Sequence, residues 1–171
     1  MFRHPSCARL LLALALGLPA RAARAQDQIS GFVGFDWGTT RDAILARFGK
    51  PREDMQQDSL ERISYVQGPD SGYLFGLVRG RGLVAGIRIL PLPAGNRCGA
   101  AVQAAKDHLA RQFGRLTPVE TMTRDSSAGS CDGYKEWNVL WREASGNRVL
   151  LSVDNARHRL YVNYSSRLSP Y

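Results

Sequence analysis

Catalytic and metal-binding residues are scarce in this 171-residue chain, which has three histidines and three cysteines. No CxxC or CxxCH occurs, so redox work, haem attachment and a zinc site have no spacing to rest on. No G-x-S-x-G elbow frames a Ser-His-Asp triad. Gly31, Gly34 and Gly38 precede a short helix without the dinucleotide-binding pattern, which leaves them as turn and packing residues. The one long apolar run, Leu10 to Pro19, falls short of the ~20 residues that span a bilayer. No catalytic residue, metal ligand or cofactor is therefore expected, nor a stable membrane anchor.

What the first residues do have is an export pattern. Arg3 and Arg9 flank a basic start, the apolar run follows, and Ala23-Arg24-Ala25 supplies small residues where signal peptidase reads them. Residues 1–25 are expected to be a signal peptide cleaved near Ala25-Gln26, which sends the product to the periplasm or the exterior. Four of the arginines and no acid lie in that segment, so the net charge falls from +8 to +4 over the remaining 146 residues. A balance of that size, with arginines spread along the chain, gives no argument for nucleic acid.

Cys7 precedes the apolar run and cannot serve as a lipid attachment site behind it. Cys98 and Cys131 then remain as an even pair in an oxidising compartment, and a structural disulfide between them is expected.

The stretch WGTTRDAILARFGKP spells out a helix with both ends marked. Thr39 or Thr40 caps it, Asp42 sits in the first turn, and Ile44, Leu45 and Phe48 share one face. Gly49 and Pro51 stop it. A second helix is expected from Arg97, capped by Asn96, with Cys98, Ala101, Val102, Ala105, Leu109 and Phe113 inward and Gly114 as its stop. Strand-like segments follow each helix: 61–67, 73–80 and 82–90 after the first; 117–124, 134–143, 148–154 and 159–166 after the second. Turn formers such as Gly68-Pro69-Asp70 and Ser145-Gly146-Asn147 separate them.

That order predicts an α+β protein made of two tandem helix-plus-antiparallel-meander units, with the helices packed on one face of the sheet. The units are placed at 26–92 and 93–171, divided at the Pro91–Asn96 stretch and sharing one core. An outer-membrane barrel is disfavoured by the alanine-rich second helix and by Pro170 close to the end.

The first helix motif resembles the capped short helix of the outer-membrane assembly lipoproteins of the SmpA/OmlA (BamE) type. The tandem order is similar to that of beta-lactamase inhibitor protein. The chain departs from the lipoprotein pattern in lacking a usable lipobox cysteine. The resemblance implies a non-enzymatic binding or assembly role with another envelope protein, and no binding residue is carried over from it.

The residues themselves offer one binding surface. Arg79, Arg81 and Arg88 surround a hairpin whose incoming strand carries Tyr73 and Phe75, and arginine with aromatic is a composition that interfaces favour. A second arrangement, Trp37, Trp137 and Trp141, is a groove for sugar rings if exposed and core if not. His108 and His158 read as boundary and turn residues, and Glu53-Asp54 and Asp132 with Glu136 as solvated carboxylates. The runner-up to a binding protein is a small periplasmic hydrolase or glycan-binding module; the identity of any small-molecule ligand is open.

Overall fold

A computed structural model of the chain describes residues 28–68, 70–93, 97–124, 131 and 133–170. The expected signal peptide, Pro69, the Asn96 cap and Asp132 lie outside the described residues.

Both helices follow from local chemistry. In α1 (Arg41–Phe48) the Thr40 hydroxyl accepts from the Ala43 amide, Asp42 lies in the first turn, and Gly49, at φ 77°, donates its N–H to the Leu45 carbonyl at 2.7 Å. Helix α2 (Arg97–Gln112) buries Cys98, Val102 and Leu109 along one stripe.

The strands overturn the expected architecture. Before α1, a two-residue hairpin joins β1 (Gly31–Phe32) to β2 (Phe35–Asp36). The remaining strands are β3 (Glu53–Gln57), β4 (Leu60–Gly68), β5 (Ser71–Val78), β6 (Gly82–Pro91), β7 (Val119–Arg124), β8 (Tyr134–Arg142), β9 (Arg148–Asp154) and β10 (Arg159–Ser165). All eight form one antiparallel sheet in the order β3-β4-β5-β6-β10-β9-β8-β7. The described residues are therefore mostly antiparallel β with two helices among them, and not α+β in two tandem helix-plus-meander units. The cause is the pairing of β6 with β10, which matches Ala85 to Ser165 through Pro91 to Arg159 and fuses the strands on either side of residue 92 into a single sheet. Two separate meanders would leave β6 and β10 as long apolar edges, and pairing satisfies both rows of backbone groups.

One face of this sheet is covered. Ile44 of α1 packs with Phe32, Ile63, Phe75, Leu77 and Leu83 in one cluster. Val102, Leu109 and Phe113 pack with Val139, Trp141, Leu151 and Val162 in the other. Each large apolar side chain so buried contributes about 1.5 to 3 kcal/mol. Tyr164 of β10 touches both clusters, so they meet over the middle of the sheet.

Close approaches fix the layers. A Cβ on Gly86 would lie 2.1 Å from the Phe32 ring, so the hairpin seats its phenylalanine directly on β6 backbone. The Gly38 amide donates to Leu83 and the Leu83 amide to Thr39, both at 2.8 Å, which ties the entry of α1 to the same strand. Ile29 donates to the Glu143 carboxylate and accepts from Trp37 Nε1 at 2.7 Å. Cys98 and Cys131 are disulfide-bonded, as expected, with Cα atoms 5.4 Å apart, so the start of α2 is joined to the residue leading into β8.

Candidate functional site

The proposed hairpin surface divides when folded. Arg79 and Arg81 sit in the turn between β5 and β6, where Arg79 approaches Glu61 at 3.8 Å. Tyr73 and Arg88 are cross-strand partners further along, on the helix-covered face, roughly 20 Å from the turn at ~3.3 Å per residue. Phe75 is fully buried among the aromatics of the first cluster.

The tryptophans do not form a groove. All three pack against the second cluster on the helix side. Trp137 donates to Glu120 at 2.6 Å, Glu120 also binds the Lys106 ammonium, and these hydrogen bonds hold its carboxyl below the usual range, with the Lys106 bond as the chief cause. Trp141 is fully buried. Glu53 and Asp54 lie on the exposed edge strand β3, where Asp54 pairs with Arg41. His158 is in the β9–β10 turn at φ 50°. Among the described residues no group of three or more His, Cys, Asp and Glu is arranged to hold a metal ion.

The feature that the sequence reading missed is the other face of the sheet, over which none of the described helices packs. Registers across the strands place Leu74, Ile87, Asn163, Leu150 and Leu140 in one row from β5 to β8. These large side chains are only half-buried. The adjoining row reads Arg62, Gly76, Ala85, Ser165, Arg148 and Arg142. The three smallest side chains of that row stand on the central strands, between Arg62 on one side and Arg148 and Arg142 on the other.

The result is a trough of about 510 Å³ with Leu74, Ile87, Leu140 and Leu150 as walls and Gly76 and Ala85 as floor. Arg148 is held in place by a hydrogen bond from its Nε to Ser165 Oγ at 3.3 Å. On the row beyond the leucines stand Ile89, Tyr161, Ser152 and Asn138. Across β4 to β8 these three rows hold three arginines and no carboxylate. An apolar stripe with cationic side chains along one flank can desolvate an aliphatic or aromatic anchor while attracting negative charge beside it.

The signal for this face was present in the strands. YLFGLV and LVAGIRIL carry apolar residues at successive positions, and a strand with only one shielded face alternates.

No protein-family model matches the chain, and no curated protein matches it. Among solved structures, it is similar to an extracellular protein containing an SCP domain from Bacillus anthracis str. Ames, with 16% identity and a TM-score of 0.41 over 76% of this chain and 44% of that one. The matched region thus spans less than half of that protein, and a likeness this low carries no argument about activity. No helix among the described residues is long and apolar enough to cross a membrane.

Proposed function

We propose that this is an exported, disulfide-bonded protein of the periplasm or exterior that acts without catalysis, by binding another envelope protein on the uncovered face of its sheet. The observation that carries the reading is the half-buried Leu74-Ile87-Leu150-Leu140 row flanked by Arg62, Arg148 and Arg142. Charge complementarity names the partner surface as acidic around an apolar anchor. Its size fits a protein. Six strands ~4.8 Å apart and three rows ~7 Å apart cover on the order of 600 Å², within reach of the ~800 Å² on one side of a standard interface. The pairing of Cys98 with Cys131 and the signal-like N-terminus support the compartment.

The test is photocrosslinking in envelope extract from a probe amino acid at Ile87, with Ala104 on the exposed side of α2 as control. A protein adduct specific to Ile87, lost in the Arg62→Glu/Arg142→Glu variant and competed by unlabelled protein, is expected. Identical adducts from both positions, or an adduct indifferent to charge reversal, would overturn the reading.

A further inference from the structure

Arg88 is the one charged side chain that the central strands β5, β6 and β10 turn toward the helix-covered face. Its neighbours there are Tyr73 on β5 and Val162 on β10. Arginine is seldom placed on a covered sheet face, because burying a guanidinium without compensation is costly. Here it stays exposed, since the helical layer is open at that point. The opening is a cleft of about 300 Å³, distinct from the trough on the opposite face. Arg88 and Tyr73 line it from the sheet, His108 and Gln112 from α2, and Asp36 with the β1–β2 turn from the hairpin.

Three observations give this cleft the character of a site. Among the described residues no carboxylate is ion-paired with Arg88, although Asp36 lines the same cleft. Tyr164, also in its lining, is buried enough to push its phenol up to about 12, and the charge of Arg88 opposes that shift. The hairpin at the mouth has Val33 at φ 52° and Gly34 at φ 77°; a β-branched residue at positive φ is strained, and such strain collects at binding sites.

The charged groups lining the cleft are of both signs: Arg88 against Asp36. Arg47 is engaged on the hairpin itself, over the Phe35 ring at 5.0 Å and donating to the Gly34 carbonyl. A polyanion gains from Arg88 and is repelled by Asp36, whereas a ligand carrying a carboxylate and an ammonium gains from both. The volume is at the low end for ligand pockets. We propose that this cleft binds a free amino acid or short peptide, its carboxylate on Arg88, its ammonium toward Asp36 and its side chain against the Tyr73 ring.

The test is calorimetric titration of the purified exported protein with L-phenylalanine, L-alanyl-L-alanine, N-acetyl-L-phenylalanine and inorganic phosphate. Saturable binding of L-phenylalanine or of the dipeptide is expected, and which of the two binds tells free amino acid from peptide. Arg88→Gln should weaken it about tenfold or more, the usual consequence of losing a hydrogen bond to a charged group, with Arg88→Lys retaining part of the affinity. Asp36→Asn should weaken L-phenylalanine and leave N-acetyl-L-phenylalanine unchanged. Binding of neither zwitterion, binding of phosphate alone, or affinities indifferent to both Arg88 variants would overturn the proposal. Arg62→Glu/Arg142→Glu should leave all four titrations as they were, which separates this cleft from the opposite face.

Discussion

Reducing the Cys98–Cys131 bond should cost this protein about a quarter to three quarters of an ordinary domain's stability. The bond links residues 33 apart. In the chain-entropy model a closed loop of that length removes about 12 cal/mol/K from the unfolded ensemble, or about 3.7 kcal/mol at 25 °C. Both cysteines are almost fully buried, at 3% and 2% exposure, so reduction leaves two thiols in place and opens no cavity. For a folded region of ~140 residues the unfolding entropy is about 0.3 kcal/mol/K, so the melting temperature should fall by about 12 °C. Circular dichroism melts of native protein, of the same sample with a phosphine reductant, and of Cys98→Ala/Cys131→Ala measure it. The double alanine variant should fall further, since it also removes buried sulfur. A reduced protein that melts within about 3 °C of the oxidised one refutes the entropic reasoning. Two alkylatable thiols in the untreated protein refute the bond itself.

The seat of the hairpin gives a coupled pair. Gly86→Ala should destabilise by about 1 to 3 kcal/mol through overpacking on Phe32, and Phe32→Ala by about 3 to 5 kcal/mol through its cavity. In the double variant the Gly86→Ala cost should largely vanish, because the clashing ring is gone; additive costs in urea titrations refute the contact. Tyr164 supplies a pH dependence. Its folded phenol ionises at about 12 and an unfolded one near 10, so its contribution is complete below pH 10 and is lost as pH rises toward 12, on the order of 2 to 3 kcal/mol in all. Absorbance titration at 295 nm should show Tyr164 and Tyr65, both raised chiefly by burial, lagging the other tyrosines, and Tyr164→Phe should remove the component that ionises at about 12.

The helices were legible because their information is local. Thr40, Asp42, Gly49 and the inward stripe of α2 lie within a turn or two of what they control. Strand β3 was not legible: EDMQQ is exposed at every position and has no shielded face to pattern it, and it is extended because β4 offers an unpaired edge. The join of β6 to β10 was hidden for the opposite reason, since partners so distant in sequence leave no mark on the residues between them. The site was half legible. Arg88 and Tyr73 were singled out, but their face was not, because the register shifts between Gly76 and Leu77 and leaves Leu83 and Val84 both buried. Counted from Leu83 without that bulge, Arg88 would point to the uncovered face.

The β6–β10 pairing also sets an order of events for a chain that emerges amino-terminus first during synthesis. Strands β3 to β6 can zip together as they emerge, yet β6 then waits as a bare, apolar edge until α2 and four further strands have passed. LVAGIRIL is thus a segment open to intermolecular strand addition during that interval. Maturation is complete only when the last strand closes the middle of the sheet.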